Sequence, residues 1–372
     1  MNILILSWRS PRHPNAGGAE ISTHEHAKAW VRAGHHVFWF SSYFKGAKKE
    51  ETIDGVHIIR EGRQFFGVQA RAFLWYFFGV HPKFDLVVDQ FHGLPFFTPL
   101  FVKAKKLAFI HEVAKEVWSL NPWPRPFNIV PAILGPLLEP LIFAFYQKES
   151  FMTVSESTRQ DLVKWGIPRR NIVVIHNGVS IKKTLSEKFR KETKKTALFL
   201  GAISWDKGIK DAFTAFSQID KKQRGWQFWV AGKASDLFLD WMKNRAKQLD
   251  IVSKFKYWGF VSDDKKFELF ARAHVLVNPS VHEGWGLVNI EANHFGTPVV
   301  GYEVGGTRDS VKEGFTGYLC PSGDYRSLAQ NAIKLVTDSR LYMNFSKNCM
   351  VWSKKFTWEK ATKQSLRIIE SL

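Results

Sequence analysis

The sequence predicts two successive α/β domains, each built on a parallel sheet, and three observations carry that expectation. Short apolar runs alternate with amphipathic helical segments, the pattern of strands paired in parallel through helical crossovers. The series stops once, at the lysine-rich stretch 180–196, which has no apolar period, and then resumes with the same alternation. At 372 residues the chain is also too long for one typical core.

Residues 3–6 read as a buried strand and not as a signal peptide, because no basic segment precedes them and a Gly-rich loop follows. A helix is expected from about Ala19, with Ala27, Trp30 and Val31 on one face and a stop at Gly34. Strands follow at 37–40, 86–88, 107–110, 151–154 and 172–175. The cluster Phe73, Trp75, Tyr76, Phe77 and Phe78 reads as a core helix before the strand at 86–88, with a membrane-facing surface as the alternative. This outlines a first domain over 1–180, a basic linker over 181–196, and a second domain over 197–355 with strands at 197–200, 228–230, 257–258, 274–277 and 298–301.

Composition narrows the class. A hydrophobic content of 45% indicates a folded protein, and two cysteines, Cys320 and Cys349, are too few for a disulfide framework or a four-cysteine zinc site. A reducing, cytoplasmic setting is the expectation. The formal net charge of +19 calls for an anionic partner. Nucleic acid is not indicated, since no helix-turn-helix, finger or RNA-binding signature occurs and the basic residues are scattered outside 182–195. No apolar stretch reaches the roughly 20 residues of a bilayer span: 72–80 is short, and 126–146 is interrupted by Pro131, Pro136, Glu139 and Pro140. Any membrane contact is therefore expected to be peripheral, at an anionic inner face.

The most informative motif is Glu283-Gly284-Trp285-Gly286-Leu287-Val288-Asn289-Ile290-Glu291, two carboxylates on either side of a glycine-punctuated turn. The run Val275-Leu276-Val277 before it reads as a buried strand, and 287–295 as a helix closed by Gly296. Glu283 is thus expected at the carboxyl end of a strand, where open α/β sheets bind ligands. The start of the helix offers N–H groups to a diphosphate. Glu291, about one turn further on, can accept hydrogen bonds from vicinal ribose hydroxyls. No G-x-G-x-x-G follows the first strand, which argues against a dinucleotide-dependent dehydrogenase.

Together with Asn278-Pro279-Ser280, Gly296-Thr297-Pro298, Gly305-Gly306, Gly17-Gly18-Ala19-Glu20, Val154-Ser155-Glu156-Ser157, Asn177-Gly178-Val179, Asp206-Lys207-Gly208 and Gly259-Phe260-Val261-Ser262, this motif resembles the family 4 retaining glycosyltransferases over nearly the whole chain. The resemblance implies a GT-B fold: two facing Rossmann-like domains with an interdomain cleft, the last helix, about 356–372, crossing back onto the first domain. It implies a UDP- or GDP-type nucleotide-sugar substrate, no cofactor and no metal. Lys207 would meet the leaving phosphate and Glu283 would orient the sugar hydroxyls. His111 would lie near the reaction centre, and Gly17 and Gly18 against the donor phosphates. Gly284, Trp285, Gly286, Leu287, Val288 and Glu291 would complete the donor site, with Gly259 and Val261 near the base.

The acceptor implied is a cell-envelope glycan or a lipid-linked sugar. One position departs from the family: many members carry Gly-Arg after the 197–200 strand, whereas this chain has Gly201-Ala202. An arginine is a bidentate phosphate donor, so either Arg9, Lys233 or Arg308 substitutes or donor binding is weakened. The competing readings are a nucleotide-sugar-binding scaffold and another GT-B enzyme such as an epimerase.

Overall fold

A computed structural model describes residues 1–64, 67–91, 93–114, 118, 129–179 and 189–372. The chain separates into two units, one made of Met1–Gly178 and Trp358–Leu372, the other of Val179–Thr357. In the first unit, β1 (Asn2–Ser7), β2 (His36–Ser41), β3 (Glu50–Ile53), β4 (Val56–Arg60), β5 (Leu86–Phe91), β6 (Lys105–Ile110), β7 (Ser150–Thr153) and β8 (Ile172–Val174) form a sheet of order β3-β4-β2-β1-β5-β6-β7-β8. Leu4 pairs Phe38 on one side and Val87 on the other, both in parallel. Ile3 to Leu6 are fully buried, which is why this strand reads as a continuous apolar run and not as an alternating one.

The edge hairpin β3–β4 is absent from the strands expected above. Its two strands are antiparallel, and Asp54 and Gly55 both have positive φ, at 49° and 82°. Asp-Gly is the residue pair that a two-residue hairpin turn favours, so the signal was present in the sequence.

The helix Gly18–Arg32 buries Ala27 and Trp30 as its period requires, and the C-terminal helix Trp358–Ser371 packs on it. Ser365 stitches the two together. Its hydroxyl donates to Thr362 O at 3.0 Å and accepts from Trp30 Nε1 at 3.1 Å, so His26 Nδ1, at 2.8 Å, must be the protonated nitrogen. His26 is otherwise ringed by Trp30, Phe109 and Trp358.

The helix Gly67–Phe78 corrects one expectation. Val68 and Ala72 are buried, and Trp75 stacks near Phe40 at 5.3 Å, but Phe73, Phe77 and Phe78 are 41%, 51% and 81% exposed. A helix lying on a sheet hides only one face, so the aromatic cluster is divided between core and surface.

In the second unit, β9 (Lys195–Leu200), β10 (Trp226–Ala231), β11 (Phe255–Tyr257), β12 (Val275–Asn278), β13 (Val299–Tyr302) and β14 (Gly317–Cys320) form a wholly parallel sheet of order β11-β10-β9-β12-β13-β14. Phe216 stacks on Phe228 at 4.9 Å and Phe213 meets the same ring edge-on at 5.3 Å, filling one side of the sheet. Residues 181–188 of the expected linker lie outside the described residues. Those that follow belong to this unit: Phe189 packs on its core, and the Lys191 ammonium donates to Ala273 O at 2.7 Å and Thr297 Oγ1 at 2.6 Å. Desolvation pushes that lysine down to about 7.

Acid lability follows from the buried histidines. Burial lowers His26 to about 3 from an ordinary 6.5, and burial with the charges of Lys191 and Lys195 lowers His274 to about 4. Above pH 6.5 each is neutral in both states. Below it the unfolded chain takes up a proton that the folded chain refuses, so stability falls with pH, by up to about 1.4 kcal/mol per unit for each histidine. Thermal unfolding between pH 7 and about 4.5 should show this decline, and His26→Gln, which keeps a donor toward Ser365, should reduce its slope.

Candidate functional site

In both sheets the strand order reverses once, between β1 and β5 and between β9 and β12. The loops leaving two such neighbours diverge and open a crevice at the carboxyl edge, the ligand-binding place of open α/β sheets. In the second unit β9 and β12 lie side by side, Ala197 against Val275. Lys207 comes from the loop after β9 and Glu283 from the loop after β12. Their side chains meet there, Lys207 Nζ at 3.1 Å from Glu283 Oε2 and at 3.3 Å from His282 O. Both are partly solvated, and a pair of this kind adds only about 0–1 kcal/mol to stability. Its placement, not its strength, marks the site: an ammonium and a carboxylate that an incoming anion and hydroxyl groups can engage.

Main-chain contacts hold the two loops. Val281 N donates to Asp206 O at 2.9 Å, and Gly208, at φ 74°, passes so near Pro279 that a Cβ would stand 1.9 Å from its carbonyl oxygen. Gly306 N donates to Glu283 O at 2.7 Å, and a Cβ on Gly306 would lie 2.3 Å from Gly284 C and Trp285 N. Beneath the turn runs a buried relay. Asn278 Nδ2 donates to Asn289 Oδ1 at 2.8 Å, Asn289 Nδ2 to Ser310 Oγ at 2.9 Å, and Ser310 Oγ to Gly306 O at 2.8 Å.

Gly286, at φ 82°, precedes the helix Leu287–His294, whose Leu287 and Val288 are half-buried. Trp285 points inward: it is 3% exposed and packs edge-on against Phe356 at 5.0 Å. Within this helix Glu291 receives the Lys266 ammonium on Oε1 at 2.8 Å. Burial raises the Glu291 carboxyl above its usual range against the pull of Lys266, while Glu291 and Asp263 raise Lys266 against the effect of its own burial. Gly259 follows β11 and its carbonyl accepts from Gly232 N at 2.8 Å, and Val261 leans on the core beside it.

The first unit carries the remaining sequence-predicted residues. Gly17 and Gly18 are exposed where the loop after β1 enters the helix Gly18–Arg32. Glu20 fixes that entry, accepting from Gly17 N at 2.7 Å through Oε2 and from Arg9 Nε at 2.8 Å through Oε1. Arg9 also donates to Asn15 O at 2.8 Å, so it clamps the glycine loop. His111 follows β6 directly, is 7% exposed, lies 4.3 Å from the Phe109 ring, and its carbonyl accepts from Thr158 Oγ1 at 3.1 Å.

Sequence reasoning missed Lys266, Asn289 and Ser310. Asn289 and Asn293 fall four apart on the buried face of an otherwise apolar helix, and that misplaced polarity was the available signal. Lys266 carried none, because its partner is 25 residues away in sequence.

Gly306→Ala is expected to force the 283–287 turn away from its seat. The cost should be about 1–3 kcal/mol, as for other overpacked sites, read as a lower melting temperature with little change in secondary structure by circular dichroism.

The family model "Glycosyltransferase Family 4" matches residues 16–183, and the model "Glycosyl transferases group 1" matches residues 181–351. The chain is 28% identical over 194 residues to a glycogen synthase of Mycobacterium tuberculosis, covering 52% of this chain and 46% of that one. It is 28% identical over 224 residues to an N-acetyl-alpha-D-glucosaminyl L-malate synthase of Bacillus anthracis, covering 57% of each. The chain thus spans about half the length of the curated relatives it matches. Among solved structures it is similar to sucrose-phosphate synthase from Thermosynechococcus elongatus, with a TM-score of 0.81 at 18% identity over 100% of this chain and 98% of that one. It is similar as well to WaaG, a glycosyltransferase involved in lipopolysaccharide biosynthesis, with a TM-score of 0.76 at 17% identity over 99% of each. With both halves matched and this fold shared, the chain belongs to glycosyltransferase family 4 and has the GT-B fold.

Proposed function

We propose that the protein is a retaining glycosyltransferase that moves a sugar from a nucleotide diphosphate donor to a cell-envelope glycan or lipid-linked acceptor. The observation that carries this reading is the meeting of Lys207 and Glu283 at the strand-order reversal of the second sheet, just ahead of the helix that carries Glu291. Negative charge grows on the diphosphate as the glycosidic bond breaks. Lys207 and the start of the Leu287–His294 helix then oppose it with a charge and a helix dipole. Glu283 accepts from sugar hydroxyls, and Glu291, with Lys266 on one oxygen, offers the other to the ribose. A solved structure of similar fold, HepE from Anabaena, holds UDP-glucose, with a TM-score of 0.75 at 17% identity; this supports a uridine donor. An acceptor carried at an anionic membrane fits the net charge of +19.

A donor screen by nucleotide release, with product analysis on lipid and glycan extracts, tests the reading. Lys207→Ala should lower kcat by more than it raises KM, because its contribution grows toward the transition state. Glu291→Ala should weaken nucleotide binding by about 1–3 kcal/mol. Unchanged nucleotide affinity in folded Glu291→Ala would remove the ribose assignment.

The cation missing at Ala202 is supplied by Lys233 in this proposal. Ile203 N donates to Lys233 O at 3.1 Å, which sets the loop after β10 alongside Ala202. Lys233→Ala should weaken donor binding about tenfold, in keeping with the loss of a charged hydrogen bond. Ala202→Arg should then restore binding in that background while adding nothing to the wild type. A large gain from Ala202→Arg alone would speak for an under-charged site.

A further inference from the structure

The helix Ile129–Phe145 inverts the polarity of a surface helix. Such helices place apolar residues inward and charged ones outward. Here the one charged residue, Glu139, is buried and accepts from Ala114 N at 2.8 Å, beside Ile142 and Phe143 in the core. The outward residues are apolar from end to end: Ile129, Val130, Ile133, Leu137, Leu141 and Phe145 are 47% to 66% exposed. The surface continues beyond the helix. Phe145 meets Phe97 edge-on at 6.1 Å, and Phe97 leads into the turn Thr98–Leu100, where Leu100 is 63% exposed. Phe101 then meets Phe73 at 5.1 Å and Phe77 at 6.1 Å on the Gly67–Phe78 helix, which ends in the exposed Phe78. Among the described residues these side chains and ring contacts form an apolar face on the first unit, larger than the scattered exposed residues usual on a soluble protein.

The surroundings of this face identify its occupant. Among the described residues no helix is long and apolar enough to cross a membrane, so the face can lie on a bilayer but its helices do not span one. Exposed lysines stand at its borders: Lys148 just past the longer helix, Lys83 past the shorter one, and Lys103 and Lys105 after Phe101. An apolar face rimmed by ammonium groups, on a chain of net charge +19, has the chemistry of an interfacial anchor. We propose that this face docks the protein on an anionic lipid bilayer, its apolar side chains entering the interface and its lysines meeting the headgroups. The prolines and Glu139 interrupt this segment as a span but leave the outward face of the helix Ile129–Phe145 apolar.

Vesicle co-sedimentation of the full chain tests the proposal without donor or acceptor, so its outcome is independent of the transferase reading. Vesicles of phosphatidylcholine, alone or with about one-third phosphatidylglycerol, are the probe. The protein should bind the mixed vesicles more tightly. It should also keep a measurable part of that binding in about 1 M salt, where charges are screened beyond about 3 Å. The double variant Leu137→Gln, Leu141→Gln, altered only at exposed positions, should keep its melting temperature and nucleotide release yet bind vesicles at least about tenfold more weakly. Three outcomes would each overturn the proposal: no vesicle binding by the wild type, equal binding by the double variant, or complete loss of binding in high salt. A dimer in size-exclusion chromatography that the double variant lacks, without vesicle binding, would assign the face to a second copy of the chain instead.

Discussion

Close approach of main chain to main chain at the carboxyl edge of the second sheet is the constraint on which the site depends. Parallel strands deliver their loops to one edge, but the loops become a site only if they come within hydrogen-bonding reach of one another. Here they do so at seats with no room for a side chain, Gly208 under Pro279 and Gly306 under the Gly284–Trp285 peptide. With the backbones fixed, Lys207 and Glu283 need no strong attraction to stay in register. Their pair is partly solvated and of modest strength.

Buried polar relays do the complementary work of specifying one arrangement. The Asn278, Asn289 and Ser310 side chains join β12, the Leu287–His294 helix and the helix Gly305–Ser310, each satisfied only when all three elements are in place. In the first unit Ser365 plays the same part, accepting from Trp30 and His26 while donating within its own helix. Misplacing one element leaves a buried donor or acceptor unpaired, at a cost of about 1–3 kcal/mol. Apolar contacts, being non-directional, enforce no such choice. The same burial that makes the relay specific keeps His26 neutral, so the C-terminal helix is held by a contact that acid weakens.

Local rules fail in two places. At the 283–287 turn, Gly286 adopts a left-handed conformation and asparagines replace apolar residues on a buried helix face. On the first unit a helix turns its apolar residues outward and its single carboxylate inward. Proteins break patterning where function requires it and satisfy it elsewhere. The first departure lines the turn with backbone and amide groups; the second leaves apolar side chains at the surface of the first unit.

Much of this was legible in the sequence, for reasons that are local. Strand runs such as Ile3 to Leu6 and Val275 to Val277 are apolar because both faces of a parallel sheet are covered, and that covering leaves a signature in the residues themselves. The glycines of the 283–291 turn and the acidic pair around them lie within one short segment, so their grouping also survives in one dimension. The Asp54-Gly55 hairpin was equally local and was overlooked. What tertiary structure alone decided is contact between distant segments. The Lys207–Glu283 pair spans 76 residues, Lys266–Glu291 spans 25 and His26–Ser365 spans 339. Which aromatic residues of 73–78 face water, and which face of 129–145 is outward, depended on where the sheet lay beneath each helix. Periodicity names the faces of a helix, but only packing chooses the one that is buried.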